Sequence, residues 1–314
     1  MDEPDVSVVV RVRNCEDFIG DAVESVLAQT MDRWELIVVD DGSTDHSVEV
    51  VERVTDQRVS ILRRPASGYA SAGNAGIAAA RARYVALLDA DDTALPERLA
   101  RQLEYLENRP ECVLVGGSMH VVTEAREFVY THHAPTSEVL IQRTLAQGES
   151  PFMNPSVVFR RDAAMEAGLY SEDLNGCGGE DTEFFRRLAA FGDGANLPDV
   201  VGEYRITRGA ITTTIAAMPR SSVRRRALVI DRVISGSASS EDLRFLRDFL
   251  RLASAITPEY AYHLRVGKAY RDYGGDMATA RRHLLWALRY KPTSMKAGYN
   301  LIRSCWPFQS RGLK

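Results

Sequence analysis

Short runs rich in β-branched residues alternate with helical stripes through the first 122 residues, and this alternation leaves few folds open to the chain. Val6–Val12 reads as a strand. Residues 18–29 follow, with Phe18, Ile19, Ala22, Val23, Val26 and Leu27 at helical spacing. Residues 35–39, 59–62, 84–88 and 112–122 read as further strands, and residues 44–54, 70–82 and 96–108 as the helices between them. Strands alternating with helices of this length predict an α/β fold, a mostly parallel sheet covered by helices on both faces. Ligands of such a sheet gather beyond the carboxyl ends of its strands.

From 123 to 150 the pattern weakens to a loop-rich excursion with a short helix near Glu138–Ala146. Residues 154–159 read as a strand, 161–167 and 181–190 as helices, and 200–206 as a last strand. After Pro219 only helical segments follow, at 224–234, 241–256, 258–273, 277–290 and 294–304. Gly267, Tyr270, Gly275, Ala280, Leu284, Ala287 and Pro292 are spaced much like one tetratricopeptide unit, too little for a solenoid. This predicts a sheet domain over 1–218 and an all-α appendage over 219–314.

Charge divides at the same place. Residues 1–219 carry 20 Lys and Arg against 36 Asp and Glu; residues 220–314 carry 19 against 7. An acidic body and a basic tail suggest two different tasks. The four cysteines show no CxxC spacing, which favours a reduced chain over a disulfide scaffold. No apolar run reaches the roughly 18 residues needed to span a bilayer. The acidic start, Met1-Asp2-Glu3-Pro4-Asp5, lacks the basic and apolar pattern of a signal peptide. The expected location is cytoplasmic, with peripheral attachment at the inner face of the membrane as an option.

Three carboxylates crowd the end of the fourth strand in Leu87-Leu88-Asp89-Ala90-Asp91-Asp92. Such crowding suits a hard divalent cation, and Mg²⁺ is usually held by one or two carboxylates plus substrate phosphates. An acidic turn opening the next helix, with Pro96 in its first turn, accounts for the same residues without a ligand. Asp40-Asp41-Gly42-Ser43-Thr44-Asp45 ends the second strand, where Gly42 permits a sharp turn and Ser43 or Thr44 a helix cap. An Asp placed there also suits a base N–H or ribose hydroxyls. Gly178-Gly179-Glu180-Asp181 opens a later helix, where acids are favoured by the helix dipole. His120, His132 and His133 lack partners at metal-binding spacing and read as polar loop residues.

Taken together, Val6-Ser7-Val8-Val9-Val10 leading to Asn14, Asp40-Asp41-Gly42-Ser43, Ala72-Gly73-Asn74-Ala75-Gly76 and Asp89-Ala90-Asp91-Asp92 closely resemble the family-2 glycosyltransferases of the GT-A fold. The likeness is strong over 4–110, looser over 150–215 and absent beyond. It implies a GT-A, Rossmann-like sheet and a nucleotide-diphosphate-sugar donor. It implies donor binding by Arg11, Asp41, Asn74, Asp89 and Ala90, and a Mn²⁺ or Mg²⁺ ion held by Asp91 with Asp89. An inverting transfer needs a general base, and the family's acid pair before a helix implies Asp181, with Glu180 as fallback. Pro151-Phe152-Met153-Asn154-Pro155 resembles the acceptor-side loop.

Two positions depart from the family pattern. Arg11 and Arg13 stand where many members carry Pro and Tyr. Arg208 stands where many carry a His that completes the metal shell; an Arg cannot ligate a cation but can bind phosphate bidentately. The processive Gln-x-x-Arg-Trp signature is absent, so one sugar per visit is expected. The expected acceptor is a surface glycan or lipid-linked sugar, with a peptide or natural product as runner-up. A catalytically silent nucleotide-sugar-binding protein and a nucleotidyltransferase are the rival readings. The basic tail, with Arg220, Arg224, Arg225, Arg226, Arg244, Arg247 and Arg251, suits an anionic membrane surface, a phosphate-bearing lipid or the acidic body of a second subunit. Nucleic acid is not expected, because no recognised binding motif accompanies the charge.

Overall fold

A computed structural model describes residues 3–175 and 179–305. Its elements are β1 (Val6–Val12), α1 (Ile19–Leu27), β2 (Trp34–Asp40), α2 (Ser47–Glu52), β3 (Val59–Arg63), α3 (Tyr69–Ala79), β4 (Tyr84–Asp89), β5 (Thr93–Ala94) and α4 (Arg98–Glu107). Then come β6 (Cys112–Val122), β7 (Phe128–His132), α5 (Glu138–Ala146), β8 (Val158–Arg160), α6 (Arg161–Glu166), α7 (Glu180–Leu188) and β9 (Asp193–Arg205). The last helices are α8 (Ile211–Ala217), α9 (Arg220–Ile234), α10 (Ser240–Ser254), α11 (Pro258–Ala269), α12 (Met277–Tyr290) and α13 (Met295–Ser304).

The sheet order is β3-β2-β1-β4-β8-β6-β9-β5. Strands β1 to β4 pair in parallel, with Val9 beside both Ile37 and Leu87. Strand β8 runs antiparallel to β4 and β6, and β5 to β9, so the sheet as a whole is mixed. Because side chains alternate along a strand, the β-branched runs feed two cores at once. Val8, Val10, Leu36, Val38 and Leu88 face α1 and α4. Val9, Ile37, Val39, Val85 and Leu87 face α3 and the Phe184–Phe185 pair of α7.

Helix α3 lies close on the sheet because Gly76 has no side chain. A Cβ there would stand 2.4 Å from Val9 Cγ1 and 2.9 Å from Val39 Cγ2. Val9 and Val39 are β-branched and stiff, so neither yields readily.

Contacts divide the chain into two compact units. The sheet unit takes the chain up to His120, Thr131–Tyr204 and Ala227–Leu246. The second takes Val121–Tyr130, Arg205–Arg226 and the chain from Arg247 onward. These units interleave along the chain, whereas the sequence reading expects one boundary near 218. In the second unit α11, α12 and α13 pack through Tyr260, Ala261, Leu264, Leu284, Ala287 and Ala297. Gly267 lets α11 meet Leu284, and Asp276 and Ser294 cap α12 and α13. The tetratricopeptide-like spacing therefore marks the helix contacts.

Several local expectations change. The loop-rich excursion holds strand β7, built from the strand formers Phe128-Val129-Tyr130-Thr131. The strand expected over 154–159 splits into a 3-10 turn at Asn154–Ser156 and the short β8, since Pro155 has no N–H for a ladder. Strand β9 starts earlier than expected, at Asp193, and α8 was not foreseen. Gly178, Trp306 and Phe308 fall outside the described residues.

Gly76→Val should destabilise the fold by about 2–3 kcal/mol through overpacking. A urea midpoint shift at unchanged slope would check this, and an unchanged midpoint would refute the close-approach account.

Candidate active site

The carboxyl ends of β1 and β4 place Arg11 beside Asp89 in parallel register. Arg11 is almost fully buried, and its Nη2 stands 3.1 Å from Asp89 Oδ1. Its guanidinium carbon lies 3.7 Å from the centroid of the Tyr69 ring and 5.4 Å from that of Tyr170. Nη2 also donates to the Tyr69 hydroxyl. Nε and Nη1 are buried without a hydrogen bond of good geometry. Burial works to lower the proton affinity of Arg11, but Tyr69, Tyr170, Asp89 and Asp181 overcome it and raise it.

Asp89 Oδ1 gathers three donors. Besides Arg11 it accepts from Asn154 Nδ2 at 2.9 Å and from the Tyr69 hydroxyl at 3.2 Å. Asn154 Nδ2 also donates to the Tyr69 oxygen at 2.8 Å, and Tyr170 donates to Asn154 Oδ1 at 3.3 Å. Burial raises the Tyr69 phenol well above its ordinary range, so it stays a neutral hydroxyl. The acidic turn continues through buried Ala90, half-buried Asp91 and buried Asp92.

A second cation lies behind this turn. Arg98 at the start of α4 is fully buried and donates to the Leu87 carbonyl at 2.8 Å and to Gln102 at 3.0 Å. Burial lowers its proton affinity to about 10, opposed by Asp92 and Asp89, so it remains charged at neutral pH. It ties α4 to β4 and offsets the negative charge at the strand tip.

Asp181 and Glu180 open α7. Glu180 is buried, and its Oε2 accepts from the Gly179 N–H at 2.7 Å. Gly179 is held against α9: a Cβ on it would stand 2.5 Å from Ile230 Cδ1. Asp181 Oδ1 is buried without a hydrogen bond. The Asp181 carboxyl is pushed up to about 8, by burial first and by the carboxylates of Glu180 and Asp89 next, against the pull of Arg11 and the Tyr69 hydroxyl. A half-buried carboxyl that titrates near neutrality beside an acidic strand tip is equipped to exchange a proton with a ligand.

Several of the expected donor contacts also make bonds within the chain. Asp41 uses both oxygens on the chain: Oδ1 accepts from Ser67 N–H at 2.7 Å and Oγ at 2.9 Å, and Oδ2 from Gly68 N–H at 2.9 Å. Asn74 clamps the backbone of Tyr170 in both directions, at 2.8 and 3.0 Å. Both residues thus shape the walls around Arg11 and Tyr69. Arg13 approaches Asp41 at 4.0 Å. Arg208 belongs to the second unit, where it pairs with Glu124 and lies 4.7 Å from the Tyr262 ring centroid. Tyr69, Tyr170 and Arg98 carry no motif in the sequence and were not anticipated. Asn154 lies in the acceptor-loop motif but here holds Asp89.

Among the described residues no three or more His, Cys, Asp or Glu side chains form a ready metal cage. Asp89 and Asp91 still offer hard oxygens of the kind Mg²⁺ and Mn²⁺ take. Two carboxylates with the remaining positions left to water and phosphate is the usual provision for Mg²⁺. The donor set therefore fits a divalent cation shared with a phosphate ligand.

Residues 7–168 match the sequence family described as glycosyl transferase family 2; the match ends before Glu180 and Asp181. The chain is 31% identical over 222 residues to the succinoglycan biosynthesis protein ExoO of Rhizobium meliloti, covering 68% of this chain and 64% of that protein. Across three such curated relatives the chain spans 66%, 64% and 65% of their length. The crystal structure of S. aureus TarS with UDP-GlcNAc superposes with a TM-score of 0.59 at 18% identity, over 95% of this chain and 88% of that one. The mannosyltransferase PcManGT from Pyrobaculum calidifontis, in complex with GDP-Man and Mn²⁺, gives 0.55 at 21% identity, over 96% and 79%. At these identities the structural likeness establishes the α/β, GT-A-type fold.

Arg11→Met should destabilise the protein by about 2–4 kcal/mol, because it leaves half-buried carboxylates without their buried cation. The loss should be largest above pH 8, where Asp181 is ionised, and shrink as pH falls. Urea denaturation across pH checks this, and a pH-independent loss would point to packing alone.

Proposed function

Because the chain belongs to glycosyltransferase family 2, we propose that it transfers single sugars, with inversion, from a nucleotide-diphosphate-sugar to an acceptor hydroxyl. The observation that carries this reading is Asp181, a half-buried carboxyl with raised proton affinity set beside the acidic tip of β4. A sugar hydroxyl is a poor nucleophile, and a base near neutrality suits its activation.

In this reading Asp181 accepts the proton of the acceptor hydroxyl as that oxygen attacks the anomeric carbon. The bond to the diphosphate breaks on the opposite face, and the diphosphate departs with the electron pair. Glu180 keeps Asp181 in its high range and stands in reserve as base. Arg11 sets a permanent positive charge at the strand tip that favours the donor's phosphates or an acidic sugar. Asp41 positions Ser67 and Gly68, and Asn74 positions Tyr170, so both act on the donor through the pocket wall. Ala90 keeps the turn between Asp89 and Asp91 narrow. A Mn²⁺ or Mg²⁺ ion would be held by Asp91 and Asp89, and when bound it neutralises the leaving diphosphate. PcManGT with GDP-Man and Mn²⁺, and TarS with UDP-GlcNAc, support this donor class.

ExoO, a succinoglycan biosynthesis protein, supports a role in polysaccharide assembly. We take the acceptor to be a growing surface glycan or a lipid-linked sugar, reached from the cytoplasmic face of the membrane. No helix among the described residues is long and apolar enough to cross a membrane, and the processive signature is missing. Both support one sugar per visit.

A thermal-shift screen of nucleotide sugars with and without Mn²⁺ tests the donor assignment, since a ligand of the native state raises the melting midpoint. No shift with any nucleotide sugar would sink it. Asp181→Asn should lower turnover by about 10²–10⁴-fold while leaving the donor-induced shift intact. Wild-type activity should rise with pH toward about 8, as the base becomes ionised. The same substitution should stabilise the ligand-free protein at pH 8. A carboxyl whose folded value lies above its ordinary 3.8 costs stability as pH rises between the two.

A further inference from the structure

The basic character of the tail is concentrated away from the Arg220–Arg226 cluster that the sequence highlights. From Met277 to the last residue the chain carries eight Lys and Arg and no Asp or Glu. This stretch includes the α12–α13 hairpin. Leu284 and Ala287 of α12 and Ala297 of α13 are buried in the helical core. The outward stripes are apolar where a solvated helix would be polar. Leu285, Trp286 and Tyr290 on α12 are 40–55% exposed, and Met295, Tyr299 and Ile302 on α13 are 59–89% exposed.

Cations sit among these side chains. Arg282 lies 5.9 Å from the Trp286 ring centroid and Arg303 lies 6.0 Å from that of Tyr299. Arg289 and Lys291 are exposed at the end of the same α12 stripe. Arg281 and Lys296 serve the fold instead, donating to the Ser304 carbonyl and to the carbonyls of Ala216 and Met218. Trp286 and Tyr290 are also braced from within. Their rings lie 4.9 and 5.9 Å from His263, which bonds His283 at 2.9 Å. Each ring thus has a fixed inner side and an open outer edge.

We propose that the α12–α13 hairpin docks on an anionic lipid bilayer. Ordered aromatic rings at the level of the head groups, aliphatic side chains below them and guanidinium groups beside them form an interfacial surface. Anionic head groups supply the charge complement that the hairpin's own sequence lacks. A solvated hairpin of the same charge would not need six exposed apolar side chains. The inference adopts the cytoplasmic membrane face of the functional reading, and its test involves no donor sugar, so either can fail alone.

Flotation of the full chain with vesicles tests it. The protein should float with vesicles containing phosphatidylglycerol and stay behind with phosphatidylcholine alone. Arg282→Gln with Arg289→Gln should weaken partition roughly fivefold per charge, about 25-fold together. Met295→Glu with Ile302→Glu, at sites too exposed to carry the fold, should abolish flotation with an unchanged circular dichroism spectrum. Raising salt until the screening length falls from about 10 to about 3 Å should release the protein. Equal binding to both vesicle types, no binding, or full binding by either variant would overturn the proposal. So would a soluble dimer that the same substitutions dissociate in the absence of vesicle binding.

Discussion

The site depends on one buried cation. Arg11 projects from a central strand into the space where β4 delivers Asp89 and α7 delivers Asp181. Carboxylates brought together without a cation repel each other once both are ionised. At an effective dielectric of about 20, two charges 4 Å apart interact by about 4 kcal/mol. That is a large share of the 5–15 kcal/mol that typically holds a domain folded. Arg11 answers the repulsion from the front of the turn, and Arg98 answers it from behind through the Leu87 carbonyl. Neither cation is surplus, because each faces carboxylates that the turn geometry cannot separate.

This arrangement explains why the aromatic pair is needed. A guanidinium buried so deeply loses its water, and one carboxylate oxygen cannot satisfy five N–H donors. The faces of Tyr69 and Tyr170 supply diffuse negative charge without adding another ionisable anion, since burial keeps both phenols neutral. Asn154 then joins the Tyr69 hydroxyl to Asp89. The result is a cation that is held firmly yet keeps donors in reserve. Asp181 is its counterpart, a carboxyl kept from ionising fully at neutral pH.

Much of this was legible in the chain. Near-continuous apolar runs announce β1, β2 and β4, because parallel strands buried on both faces lack polar alternation. Asp89, Asp91, Glu180 and Asp181 stand out in the sequence because acids cluster there at the end of a strand and the start of a helix. The partners of these residues were not legible. Tyr69 meets Arg11 across 58 residues and Asn154 meets Asp89 across 65, and no local pattern encodes such contacts. Arg98 looked like any first-turn residue of an amphipathic helix. The intrachain bonds of Asp41 to Ser67 and Gly68, and of Asn74 to the Tyr170 backbone, are likewise invisible to local pattern. The interleaved units escaped the sequence because a composition shift near 219 marks a change of charge, while compactness follows contacts.

The charge division has a further consequence for how an anionic donor could enter. The first 219 residues carry a large surplus of acid, which taken alone would repel a nucleotide diphosphate. Screening changes the balance. At physiological salt the Debye length is about 8 Å, so most of that surplus is silent at the site and the nearest charges decide. There the near charges are Arg11 and Arg98 against the acidic turn, and buried charges are screened far less than exposed ones. A cation accepted between Asp89 and Asp91 would tip the local sign to positive while leaving the distant surface acidic. The acidic turn therefore cannot recruit the diphosphate by itself. Arg11 supplies a permanent positive charge that makes the crowded strand tip tolerable.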